Sequence, residues 1–321
     1  MLPGMIARIL SFVAAMLAVF GFRPAPYETR PLFADAGFAN GFTVMSMQTL
    51  NGSGVPLGNF TYNTLPVQPS WKIAQWNSGY CLWAERVPSD MYTITDGRTK
   101  TVRYNPASQS VSMRLNGANV YGGRPAGDGN WPHLLLEQSP LPGASGEDKA
   151  FYSCASDKLV LRLKIRLTDF KDTVNKEGVN AAQFLAYLYL TGVNGRDFVW
   201  FGINLFDSRG LQNTYWSKDT AGSDQMIYTV STADTYGCGL FSLTPFGRPR
   251  VSDRWAGIEL DLVPHIRAML AKANEDGTFG RRLTASDFFI GGANIGFEIH
   301  GNYDCTIEIK DFQIVSYRAA G

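Results

Sequence analysis

The run KLVLRLKIRL, Lys158 to Leu167, decides the fold class. Leu159, Leu161, Leu163, Ile165 and Leu167 fall on one side of an extended chain, while Lys158, Val160, Arg162, Lys164 and Arg166 fall on the other. Successive side chains of a strand point to opposite faces, so a period of two with one apolar set marks a strand with one buried face. The same reading extends outward. In 183–191 the inward set is Phe184, Ala186, Leu188 and Leu190, and in 198–206 it is Val199, Phe201, Ile203 and Leu205. Further strands are expected over 42–48, 71–77, 81–86, 101–104, 110–115, 133–138, 226–230, 238–243, 257–262, 294–300 and 305–315, bounded by Gly, Asn, Asp and Pro.

One stretch reads as helix, 263–274, with Pro264 in its first turn, Val263, Ile266, Leu270 and Ala273 on one stripe, and Gly277 just beyond its end. Strands never segregate from helices, which predicts an all-β chain, a large antiparallel β-sandwich of the jelly-roll kind with one short helix. A single domain is expected over 40–318, preceded by a linker over 23–39. Residues 9–22 form an apolar run of 14 behind Arg8, too short for the ~20 residues of a spanning helix. That pattern predicts a signal peptide or N-terminal anchor over 1–22 and a secreted, periplasmic or extracellular protein, touching a membrane only through that segment if it stays uncleaved.

The chain has 321 residues with 29 Lys+Arg against 28 Asp+Glu, a formal charge of +1, which argues against a nucleic-acid partner. Charged residues are 18% and aromatics 13%, with 33 glycines, a balance that suits short strands and tight turns. Cys81, Cys154, Cys238 and Cys305 form no C-x-x-C pair, and in an exported protein four cysteines predict two disulfides of unspecified pairing.

The faces opposite the core carry the candidate chemistry. They gather Tyr187, Tyr189, Trp200 and Asn204, the basic stripe Arg162, Lys164 and Arg166, and the pair Glu298 and His300 with Gly296 beneath. Rings that stack on the CH faces of a sugar, beside donors and acceptors for its hydroxyls, suit a polysaccharide or other glycan. Trp131, His133 and Glu137 share one side of another strand, with His133 and Glu137 about 13 Å apart. The catalytic candidates are Glu298, His300, Glu137 and His133, and the substrate-binding candidates are Trp200, Asn204, Tyr187, Tyr189, Arg162, Lys164, Arg166 and Trp131. A glycoside hydrolase would need Glu137 and Glu298 about 5–5.5 Å or 6.5–9.5 Å apart. A polysaccharide lyase would use the basic stripe to neutralise a uronate, with His300 or Tyr187 as base.

No G-x-S-x-G elbow, phosphate-binding loop, dinucleotide fingerprint or H-E-x-x-H helix occurs. No cofactor is expected beyond a structural calcium ion at Asp304 or Asp311.

The stretch Gly292-Ala-Asn-Ile-Gly-Phe-Glu-Ile-His-Gly301, followed by Asp304 to Ile314, resembles the closing strands of carbohydrate-binding jelly rolls. The strand pattern over 40–318 is similar in scale to concanavalin-A-like jelly rolls, a group of glycoside hydrolases, polysaccharide lyases and lectins. That resemblance implies glycan binding on one sheet, with or without cleavage. The alternative class is a lectin-like or adhesive surface protein without turnover.

Overall fold

A computed structural model describes residues 27–48, 54–62, 67–84, 90–126, 131–141, 146–172, 180–220, 223–238 and 249–320. The expected export segment over 1–22 and most of the strand expected over 238–243 lie outside them. Among the described residues no helix is long and apolar enough to cross a membrane.

The strands are β1 (Tyr27–Pro31), β2 (Phe42–Gln48), β3 (Pro56–Phe60), β4 (Trp71–Trp76), β5 (Thr93–Thr95), β6 (Lys100–Asn105), β7 (Ser110–Asn116) and β8 (His133–Gln138). They continue as β9 (Lys158–Asp172), β10 (Ala181–Gly192), β11 (Phe198–Asp207), β12 (Tyr215–Lys218), β13 (Met226–Val230), β14 (Ala256–Asp261), β15 (Phe288–His300) and β16 (Tyr303–Ala319). The helices are α1 (Gly117–Tyr121) and α2 (Val263–Glu275). They form two sheets. A seven-stranded sheet runs β14-β9-β16-β7-β6-β5 with β1 on β16, and a nine-stranded sheet runs β12-β13-β11-β10-β15-β8-β4-β2-β3. Pairing is antiparallel except between β11 and β13 and between β2 and β4.

The two sheets bury one face each in a shared core. Leu159, Leu161, Leu163, Ile165 and Leu167 of β9 all enter it, as do Phe184, Ala186, Leu188 and Leu190 of β10. Each such Leu or Ile contributes about 1.5–3 kcal/mol. Between the sheets Trp71 of β4 and Phe312 of β16 meet edge to face at 5.4 Å, and within the nine-stranded sheet Phe184 and Phe297 do so at 4.9 Å. On α2, Val263, Ile266, Leu270 and Ala273 are buried as the spacing predicts, joined by Met269.

Three expectations are corrected. The linker over 23–39 gives way to sandwich from Tyr27 onward: β1 pairs with β16 from Tyr27↔Ala319 to Pro31↔Val315, and Leu32 and Phe38 are fully buried. Cys81, Cys154 and Cys305 carry free thiols, so the two expected disulfides, which need all four cysteines, do not form. Cys154 and Cys305 are instead packed as small apolar groups in the core, where burial pushes their thiols up. The segment 81–84, expected as the start of a strand, is irregular. It is tied down by Gln75, which accepts from the Leu82 amide at 2.9 Å and donates to its carbonyl at 3.0 Å.

β11 carries the irregularity that matters most for the site. Leu185 faces Asn204 but Phe184 faces Phe206, leaving Leu205 as an extra residue. Leu205 and Phe206 therefore both enter the core, and Asp207 returns to the face of Asn204.

Candidate functional site

The outer face of the nine-stranded sheet is not an ordinary solvated surface. Leu135, Leu185 and Tyr187 point away from the shared core yet are only 4%, 2% and 7% exposed. Gln183, Asn204, Asp207 and Asn294 on the same face are buried as well. The face is a floor largely screened from solvent.

Register places the floor residues in rows across the strands. One row runs Asp207, Gln183, Glu298, His133 and Trp76, through β11, β10, β15, β8 and β4. Four residues further along lies Tyr215, Thr229, Gly202, Tyr187, Asn294, Glu137 and Lys72. Beyond that, Trp200 and Tyr189 stand beside Gly292.

Glu298 is the half-buried carboxyl of the first row. The protein packed around it pushes its pKa up, the charge of His133 on the facing strand draws it down, and Asp219 pushes it up again. His133 is braced edge-on by Trp76 at 5.8 Å. His300 is 2% exposed, between Trp131, stacked at 5.0 Å, and Tyr121 of α1 at 6.2 Å, so it supports the floor from beneath cover. Asp207 is gripped by Arg209 through two bonds of 2.9 and 2.6 Å and receives Gln183 at 2.8 Å.

The two tyrosines of β10 lean in opposite directions because glycines make room for them. A Cβ on Gly202 would lie 2.6 Å from the Tyr187 ring, and one on Gly292 would lie 2.4 Å from the Tyr189 ring. Tyr189 thereby crosses β15, bonding Glu137 on β8 at 3.2 Å and receiving Asn294 at 3.2 Å. Burial pushes the Glu137 carboxyl up, while the Tyr189 hydroxyl and the Lys72 charge pull it back. Tyr189→Phe should therefore raise the Glu137 pKa further, read as a higher midpoint in an NMR titration of its side-chain carboxyl carbon. An unmoved midpoint would mean that this bond does not form in solution. Trp200 sits among rings, edge-on to Tyr189 at 4.9 Å and to Phe198 at 4.8 Å, and its indole N–H donates to Ser223 at 2.8 Å.

The structure thus gathers Glu298, His133, Glu137, Tyr187, Tyr189, Trp200, Asn204, His300 and Trp131 on or under one face. Two expectations do not survive. Glu137 faces Asn294, four residues from Glu298 along β15, so the backbones that carry the two side chains are about 13 Å apart along the strand, and the Glu137 carboxyl is held by Tyr189, which lies on the side away from Glu298. Arg162, Lys164 and Arg166 belong to β9 in the other sheet, whose outer face looks the opposite way. They are neutralised there by Glu259 at 3.2 Å, Asp311 at 2.9 Å and Glu308 at 2.7 Å. The expected calcium ligands are likewise taken, Asp304 by Arg114 at 2.7 Å and Asp311 by Lys164. Among the described residues no group of three His, Cys, Asp or Glu side chains is placed to hold a metal.

Several floor and rim residues are not among the candidates the sequence offers: Gln183, Asp207, Asp219, Tyr215 and Trp76. Gln183 was legible as outward on its strand, but only register shows it beside Glu298.

No family model matches the chain, and no curated protein matches it. Solved structures do align. A meso-active thermostable cellulase derived from Cel12A of Rhodothermus marinus is 10% identical, with 69% of this chain and 87% of that one covered at a TM-score of 0.39. A native family 12 xyloglucanase from Bacillus licheniformis is 10% identical over 75% and 94% of the two chains at 0.39. The xyloglucanase domain of NopAA, a type three effector from Sinorhizobium fredii in complex with cellobiose, is 8% identical over 78% and 94% at 0.37. Each likeness is remote, and the site stands on this chain's own residues.

Proposed function

We propose that the outer face of the nine-stranded sheet binds a neutral polysaccharide and that Glu298 donates a proton to the glycosidic oxygen as the bond to the anomeric carbon breaks. The observation that carries this reading is a carboxyl with a raised pKa on a floor furnished with Tyr187, Tyr189 and Trp200. A carboxyl that keeps its proton to higher pH is a better general acid near neutrality. Asp219, the other carboxylate whose charge bears on Glu298, accepts from the amide and hydroxyl of Ser223 beside Trp200. A neutral glycan is favoured over a uronate because the basic stripe faces away from the floor. Export of the chain belongs to the same reading and rests on the basic start and apolar run of residues 1–22.

A second reading, glycan binding without turnover, is favoured by one observation: the cross-strand neighbours of Glu298 are Gln183 and His133, neither a carboxylate.

Incubation with a panel of neutral and uronate polysaccharides separates the outcomes. New reducing ends support hydrolysis, and retention without them supports the second reading. Absorbance near 235 nm from an unsaturated uronate would mark a lyase, and neither retention nor cleavage of any glycan would sink the proposal. Trp200→Ala should weaken retention by about 1–2 kcal/mol through lost ring contact, measured as a binding isotherm on the retained polysaccharide. An isotherm matching wild type would place Trp200 outside the binding surface.

A further inference from the structure

The side-chain amide of Asn204 has neither its oxygen nor its nitrogen hydrogen-bonded, although the residue is 1% exposed. Its neighbours Ile203 and Leu205 enter the core, so Asn204 points onto the outer face of the nine-stranded sheet. Asn294, 4% exposed on the same floor, donates to Tyr189 but leaves its amide oxygen without a partner. A buried polar atom without a partner costs about 1–3 kcal/mol, so two such side chains on one face need a reason.

Register fixes their spacing. Asn204 and Asn294 lie two strands and two residues apart, a Cα separation of about 12 Å. That span accommodates one pyranose ring with a hydrogen bond at each end. Glu298 lies two residues beyond the row of Asn204, on the strand of Asn294. The orphan amides offer donors and acceptors without charge, which suits a hydroxyl-bearing neutral sugar and leaves a carboxylate uncompensated.

We infer that Asn204 and Asn294 form a saccharide subsite beside Glu298, taking the hydroxyls of a single neutral sugar unit. This inference rests on the glycan-binding reading of the same face. Asn204 supplies both a donor and an acceptor, and Asn294 supplies an acceptor held in place by Tyr189. The free protein tolerates the unmet groups because the ligand satisfies them, the usual trade of stability for function.

The test uses the full chain, with soluble β-1,4-linked gluco- and xylo-oligosaccharides titrated calorimetrically into wild type and Asn204→Leu, alongside thermal melts. The expected result is about a tenfold rise in Kd with a Tm equal to or above that of wild type, since Leu removes an unsatisfied amide. Unchanged affinity in Asn204→Leu, against measurable binding by wild type, would overturn the subsite while leaving the groove reading intact. A clear fall in Tm would also overturn it, because the amide would then have a partner in the free protein. Wild type that binds neither oligosaccharide would remove both the subsite and the groove reading for neutral glycans. If Asn204→Leu does not fold, Asn204→Ser reads the same two quantities with less added bulk.

Discussion

Glu298→Gln should abolish polysaccharide cleavage and, at neutral pH, make the protein more stable. Gln keeps the shape and the hydrogen-bonding reach of Glu but has no proton to give, so kcat should fall at least 100-fold, the lower end of what a positioned general acid supplies. The stability gain follows from burial, which raises the folded-state pKa of Glu298 above its ordinary value. A carboxyl with a raised folded pKa contributes its stability below the unfolded pKa and loses it as pH climbs through the folded pKa. The variant has no such loss. The difference in Tm between Glu298→Gln and wild type should therefore be smallest near pH 4 and widen towards pH 7–8. Melts across that range check the sign, and a gap that narrows with pH would show that Glu298 is favoured in its ionised form, unfit as an acid. The double outcome matters because a merely structural carboxylate would lose stability on the same substitution.

The alternation of β9 and β10 gave the core-facing set residue by residue, and that of β11 as far as Leu205, because a half-buried strand writes its two faces into adjacent positions. What alternation leaves out is everything that depends on which strands become neighbours. Arg162, Lys164 and Arg166 share their outward character with Tyr187 and Tyr189, and nothing within either strand tells that they belong to different sheets. The spacing of Glu137 and Glu298 is a register between β8 and β15, fixed by contacts more than 150 residues apart along the chain. Local signals failed at Asp207 for another reason. Leu205 and Phe206 are both apolar, so the extra residue that turns Asp207 towards the floor leaves no polar mark in the sequence. The strand Tyr27–Pro31 was hidden by Pro31 and by Pro24 and Pro26 just before it, since proline suits linkers as well as edge strands, and β1 is an edge strand with every residue exposed. Asn204 was legible as an outward polar residue, but its want of a partner is a property of the assembled floor alone.

Gly296→Ala should cost more stability than any other single methyl added to the floor. A Cβ there would come 2.1 Å from the Leu134 carbonyl oxygen and 2.8 Å from the Leu135 Cα. Both are backbone atoms of β8, so no rotamer change relieves the contact, in contrast with Gly202 and Gly292, where the obstructing atoms belong to side chains. Relief requires β8 to move off β15 across a pairing that runs from Ala293↔Gln138 to Glu298↔His133. Overpacking of this kind costs about 1–3 kcal/mol where side chains can yield, and a backbone obstacle puts Gly296→Ala at or above the top of that range. For a domain of this size the loss corresponds to a fall in Tm of roughly 6–10 °C. Gly257→Ala on β14 is the matched control, a strand glycine with no atom within 4 Å of the added carbon, and its Tm should stay close to wild type. Equal Tm values for the two variants would mean that β8 does not lie against Gly296 as closely as described. Where Gly296→Ala still folds, the displaced β8 carries His133 away from Glu298, and the Glu298 pKa should rise as the lowering influence of His133 weakens. The glycine beneath the acid thus holds the strand that tunes it, which ties a backbone contact to the proton chemistry of the groove.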